Sequence, residues 1–136
     1  MRVELTRVGP AAFAARAGSG GELVLDGSPK IGGEGRGMRP MELLLTALAS
    51  CAAMDVVHIL RRQRQPLEDL EIVVEGERRE GTPSPFSAVH LRFLARGAVD
   101  PRKLERAVRL GVERYCSVGA SLHPDVAVTW EATLGS

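Results

Sequence analysis

The sequence predicts an α+β fold: a mainly antiparallel six-stranded sheet around a long buried central helix, in the order β-β-β-α-β-β-α-β. Three observations point there. The run from Pro40 to Leu60 is apolar nearly all round, which marks a helix that is covered rather than half-exposed. Segments on both sides of it alternate apolar and polar residues, the period of a strand. No strand–helix–strand unit repeats, which argues against a doubly wound parallel sheet. The 136 residues suffice for one real core and not for two, so residues 1–136 are read as a single domain.

Arg2 to Val8 alternates and reads as the first strand. Gly9-Pro10 turns the chain, and Ala11 to Ala17 follows as a second strand with Phe13 inward. Gly18-Ser19-Gly20-Gly21 turns again before a third strand, Glu22 to Asp26. Connections this short predict an antiparallel meander. Gly27 to Gly37 is a Gly-rich linker. No Gly-Lys-Ser/Thr closes it, so it is read as a crossing to the helix rather than a phosphate-binding loop.

The long helix is expected from Pro40 to Gln65. Pro40 suits a first turn, where a missing N–H costs nothing. Glu42 suits the positive end of the macrodipole; Arg61, Arg62 and Arg64 suit the negative end, and Pro66 stops the run. Ala47, Ala49, Ser50, Ala52 and Ala53 are small enough to let another backbone come close. The longest stretch without a charge, Leu43 to Met54, falls short of the ~20 residues a bilayer span needs. Beyond the helix, Leu70 to Arg78 and Ala88 to Arg96 read as hairpin partners, with Val89, Leu91, Phe93 and Ala95 on one face and His90 and Arg92 on the other. Asp100-Pro101 opens a second helix with an N-cap and a first-position proline. Its apolar stripe is Leu104, Val108, Gly111 and Val112, and Tyr115-Cys116 comes near its end. Ser117 to His123 makes a short turn or helical piece, and Asp125 to Leu134 is the last strand, with Val126, Val128, Trp130 and Ala132 on one face. Six strands cannot wrap a long helix that is apolar all round. A symmetric partner is the commonest cover, so a homodimer with the long helices at its centre is expected.

A net charge of +1 and only five aromatic residues, one Trp, one Tyr and three Phe, leave no basis for nucleic-acid or anionic-membrane binding. No signal peptide precedes the first strand, which predicts a cytoplasmic protein. Thiols stay reduced there, so Cys51 and Cys116 are redox or catalytic candidates rather than a structural staple; two inert core cysteines remain the plain alternative. Zinc needs about four ligands, and His58, His90 and His123 are scattered. No metal and no cofactor are expected.

Residues around both cysteines add a resemblance. Pro40-Met41-Glu42-Leu43-Leu44-Leu45-Thr46-Ala47-Leu48-Ala49-Ser50-Cys51, running into Asp55-Val56-Val57, resembles the central helix of the OsmC/Ohr family (osmotically induced protein C and organic hydroperoxide resistance protein). Tyr115-Cys116-Ser117-Val118 resembles that family's second cysteine segment, and Glu77-Arg78-Arg79-Glu80 with Pro83-x-Pro85-Phe86 its hairpin. The resemblance covers essentially the whole chain. It implies an intertwined homodimer and thiol-dependent reduction of organic hydroperoxides in stress defence. Cys51 would be the peroxidatic thiolate and Cys116 the resolving cysteine, with a lipoylated or thioredoxin-like dithiol protein as reductant. The resemblance is to a divergent branch. Met41 stands where the peroxidases carry a glutamate, which leaves Glu42, about 100° further round the helix, as the nearby carboxylate. Arg16, Arg36 and Arg39 are the candidates for the arginine that approaches the thiol. The expected site is therefore Cys51, Cys116, Glu42 and Arg39. Asp55 shares a helix face with Cys51 and is assigned structural duty. The competing functional reading is a non-catalytic or weakly catalytic stress-response dimer that binds an apolar small molecule at its interface. A third reading, an unrelated α+β protein with structural cysteines, requires the two sulfurs to lie apart.

Overall fold

A computed structural model describes residues 1–135. Strands β1 (Val3–Arg7), β2 (Phe13–Ala17) and β3 (Glu22–Leu25) precede the helix α1 (Pro40–Arg62), which β4 (Leu67–Arg78) and β5 (Phe86–Gly97) follow. Helix α2 (Pro101–Leu110), a π turn (Gly111–Tyr115), helix α3 (Ser117–Ser121) and β6 (Ala127–Leu134) complete the chain. The chain divides into two compact units, the first spanning Met1–Leu44 and the second beginning at Leu45.

The first unit is the antiparallel meander β1-β2-β3, with Leu5 opposite Ala15 and Ala15 opposite Leu23. Side chains alternate across a strand, so Val3, Leu5, Phe13 and Leu23 share one face of this sheet. They are 55, 58, 40 and 42% exposed, an uncovered apolar face. The Gly-rich stretch is not a plain crossing. It carries a 3-10 turn, Pro29–Ile31, and folds over the buried carboxylate of Asp26, which accepts the backbone N–H groups of Gly27, Glu34 and Arg36 at 2.7, 2.9 and 3.1 Å. These bonds, those from Glu34 and Arg36 foremost, hold Asp26 below the ordinary carboxylate range. Gly33 has no room for a side chain, since a Cβ there would lie 1.8 Å from the Gly27 carbonyl oxygen.

In the second unit β5 is the central strand, antiparallel to β4 and parallel to β6. The chain therefore has two three-stranded sheets, which corrects the expectation of one six-stranded sheet. Hairpins close β1, β2 and β3 on one another, while β4, β5 and β6 form their own ladder after the linker and α1. The parallel pair arises because α2 returns the chain to the same end of the sheet, as a helical crossover does. Val89, Leu91, Phe93 and Ala95 of β5 are buried, as are Leu104, Ala107 and Val108 of α2. From α1 the core takes Leu48, Ala52, Val56 and Leu60, a stripe at i, i+4 spacing, with Ala49 beside it. The rest of α1 is less covered, and Met54 is 71% exposed. So α1 buries one stripe within the chain and leaves a remainder uncovered, as expected of an apolar helix that six strands cannot wrap. By length and composition alone α1 could cross a bilayer, but that stripe belongs to the same core as β5 and α2. On the outer face of β5, His90 Nδ1 lies 2.7 Å from Thr129 Oγ1, and Arg92 pairs with Glu75.

Candidate active site

Cys51 lies mid-way along α1, half-buried, one residue before the buried Ala52. Cys116 follows the π turn that ends α2. Asp100 caps α2 by accepting the Arg102 N–H at 2.8 Å, Pro101 fills the first position, and the π turn then widens the helix before Cys116 ends it. The turn fits tightly on α1 at Gly111. A Cβ there would lie 3.0 Å from the Ala52 carbonyl oxygen and 3.2 Å from Val56 Cγ2. The small residues of α1 thus admit a neighbouring backbone as their size predicts.

Cys116 is 4% exposed. Its Sγ lies 3.9 Å from the Leu48 carbonyl oxygen and accepts the Gly119 N–H at 3.2 Å, which makes the thiol the N-cap of α3. Leu48 lies one turn before Cys51 on α1, so Cys116 sits beside the turn of the helix that carries Cys51. Burial pushes the Cys116 thiol up from its ordinary pKa. The Gly119 N–H works against burial, while Cys51, as hydrogen-bond partner and as a second negative charge, adds to it. Both cysteines are free, Cys51 half-buried and Cys116 buried.

Arg39 and Glu42 belong to the first unit and meet each other. The Glu42 carboxylate accepts the backbone N–H of Arg39 at 3.0 Å, the returning half of a capping box at the start of α1. The bond uses the Arg39 main chain, not its guanidinium. Arg36 donates to the Val8 carbonyl at 2.9 Å and pairs with Glu34 at 3.2 Å, and Arg16 pairs with Glu22 at 3.8 Å. His58 is exposed and lines a groove of about 470 Å³ with Ser50, Met54, Val57, Arg61 and Ile72. Among the described residues no group of three or more His, Cys, Asp or Glu is placed to hold a metal ion.

Sequence reasoning did not find the capping role of Cys116 or the Asp26 knot. The second had a signal, because an Asp directly before a Gly-rich stretch is a common start for a side-chain-closed turn. The first had none, since cysteine is not among the ordinary capping residues.

Residues 33–131 match the family model described as OsmC-like protein. The chain is 36% identical over 118 residues to Protein YhfA of Escherichia coli, covering 86% of this chain and 85% of that protein. Among solved structures it is similar to a hypothetical protein from Aquifex aeolicus, with 36% identity, a TM-score of 0.82 and coverage of 99% of this chain and 97% of that one. It shares its fold with an organic hydroperoxide resistance protein OsmC from Legionella pneumophila at 19% identity, with a TM-score of 0.70 and coverage of 97% and 95%.

Proposed function

The chain belongs to the OsmC-like family, and from that premise we propose that it reduces organic hydroperoxides, with Cys51 as attacking thiolate and Cys116 as resolving cysteine. The observation that carries this reading is the Cys116 sulfur 3.9 Å from the Leu48 carbonyl oxygen, one turn before Cys51 on α1. The Cys51 sulfur attacks a peroxide oxygen; an S–O bond forms, the O–O bond breaks, and the leaving alkoxide takes a proton to become an alcohol. Cys51 is then a sulfenic acid, the reversible rung of the oxidation ladder. The Cys116 sulfur attacks it, forming S–S and releasing water. A dithiol carried by a lipoylated or thioredoxin-like protein reduces the disulfide and is itself oxidised.

The environment of Cys116 supports this division of roles. A thiol raised by burial is the poorer first nucleophile. Oxidation of Cys51 removes the charge that raises Cys116 further, so the second step is eased only after the first. Hydroperoxide resistance, the role named for the Legionella neighbour, is the stress-defence function this chemistry serves, here in the cytoplasm.

The site belongs to an intertwined homodimer. The uncovered apolar face of Val3, Leu5, Phe13 and Leu23 and the exposed side of α1 around Met54 supply the surfaces that a second copy covers. Glu42 and Arg39 complete the proposed site as the last carboxylate and the last arginine before Cys51 in the sequence, and the Glu42 carboxylate also accepts the Arg39 N–H at the opening of α1. Sedimentation tests the dimer: a monomer at micromolar concentration rules it out.

Cumene hydroperoxide with dithiothreitol tests the chemistry. Wild type consumes the peroxide and Cys51→Ser does not; equal rates for the two remove the reading. The groove beside Met54 favours a second reading, a dimer that binds an apolar small molecule. Intact mass after peroxide treatment separates them: loss of two hydrogen atoms without added oxygen marks the Cys51–Cys116 bond, and unreacted thiols with a retained ligand mark binding.

A further inference from the structure

The solvent face of α2 has a charge pattern that its own stability does not explain. Leu104, Ala107 and Val108 face the core. Arg102, Arg106 and Arg109 follow the i, i+4, i+7 spacing on the opposite side, with Lys103 next to them. All four are exposed. Glu105 is the one carboxylate on this face, and it is tied to Arg109 at 2.7 Å. Among the described residues no ion pair engages Arg102, Lys103 or Arg106.

Arg102 and Lys103 sit in the first turn, which holds no acidic residue. The macrodipole disfavours cations there, so helix energetics argue against the residues that are present. The chain as a whole carries only +1, so this is a local concentration of charge. The helix leads directly through the π turn to Cys116. Cys116 is 4% exposed, so a reductant needs a slender reach to the sulfurs and must find its grip on the surrounding surface.

We propose that this face of α2 docks an acidic protein that presents the reducing dithiol. The proposal rests on the thiol-peroxidase reading. The probe is an isolated acidic lipoyl domain in its dihydrolipoyl form, compared with free dihydrolipoamide, which offers the same dithiol without a protein surface. The variant is Arg102→Glu with Lys103→Glu and Arg106→Glu; glutamates suit a first helical turn, so the fold should hold.

The variant should lose about tenfold in kcat/KM with the domain, the low end of electrostatic steering, and stay within about twofold with free dihydrolipoamide, to which steering does not apply. Raising ionic strength should slow the wild type with the domain and leave the variant unchanged. Equal loss with both reductants, or no loss with the domain, overturns the proposal. If neither reductant supports turnover in the wild type, the peroxidase reading is what fails. Docking is then decided by titrating the domain against wild type and variant at low ionic strength: shifts in the wild-type spectrum alone support it, and none in the wild type overturns it.

Discussion

The Cys116 sulfur accepts the Gly119 N–H at 3.2 Å, so the thiol assigned to resolve the sulfenic acid also starts helix α3. Structure and chemistry therefore separate by substitution. Cys116→Ser keeps an N-cap acceptor, whereas Cys116→Ala removes it and should cost about 1 kcal/mol more in urea unfolding. Both abolish the intramolecular disulfide. Equal stability of the two variants would show that the cap contributes nothing.

The same sulfur should alkylate with an unusual pH profile. Burial first, and Cys51 second among the raising causes, lift the Cys116 thiol above its ordinary value. Iodoacetamide labelling of Cys116 should therefore set in at higher pH than for a free thiol, and Cys51→Ser should move that profile down. The linkage to stability has a definite sign. The unfolded thiol ionises first as pH rises past about 8.5, so the contribution of the protonated Cys116 is whole below that point. It is lost as pH climbs toward the raised native value. A profile that moves up in Cys51→Ser would show that Cys51 does not raise the Cys116 thiol.

Gly111 and Gly119 should respond differently to alanine. At Gly111 a Cβ would press on the Ala52 carbonyl at 3.0 Å, backbone that has little freedom to give. Gly111→Ala should lose about 1–3 kcal/mol through overpacking. At Gly119 the nearest atoms to a Cβ, Cys116 Sγ and Leu48 Cδ1, are both 3.5 Å away, ordinary contact. Gly119→Ala should be neutral, or gain a few tenths of a kcal/mol from helix propensity. Thermal denaturation of the two variants side by side checks the contrast.

Asp26→Asn should loosen the 27–37 stretch. The carboxylate is held below its ordinary range, chiefly by the Glu34 and Arg36 N–H groups. Its contribution is thus present above the unfolded carboxylate pKa, about 3.9, and fades as pH falls through the lower native value. The variant should be less stable at neutral pH, with faster amide exchange at Glu34 and Arg36, and the gap to wild type should close in acid. Unchanged exchange at those two amides would mean the knot does not depend on charge.

Local signals in the sequence carried the elements well. Asp100-Pro101 caps α2 as its residue types require, Val89, Leu91, Phe93 and Ala95 form the buried side of β5, and α1 begins at Pro40. Alternation says which side of a strand is apolar but not which strands share a ladder, so the split into two sheets was not legible. The partial cover of α1 was legible: six strands cannot wrap a helix that is apolar all round, and Met54 is left 71% exposed. An all-round apolar helix states how much surface wants cover, not what provides it. Of the proposed site, the sequence offered two cysteines in contexts that resemble the family's. The cap, the Gly111 contact and the π turn were not legible, because each depends on how α1 and the end of α2 meet.

The π turn fixes the phase of everything beyond it. Five residues, Gly111–Tyr115, absorb the mismatch between a helix packed on Ala52 and a sulfur that must reach Leu48. A residue inserted or deleted within those five would swing Cys116 by roughly 100° about the helix axis. A length change at the exposed 80–85 hairpin turn would leave both sulfurs where they are.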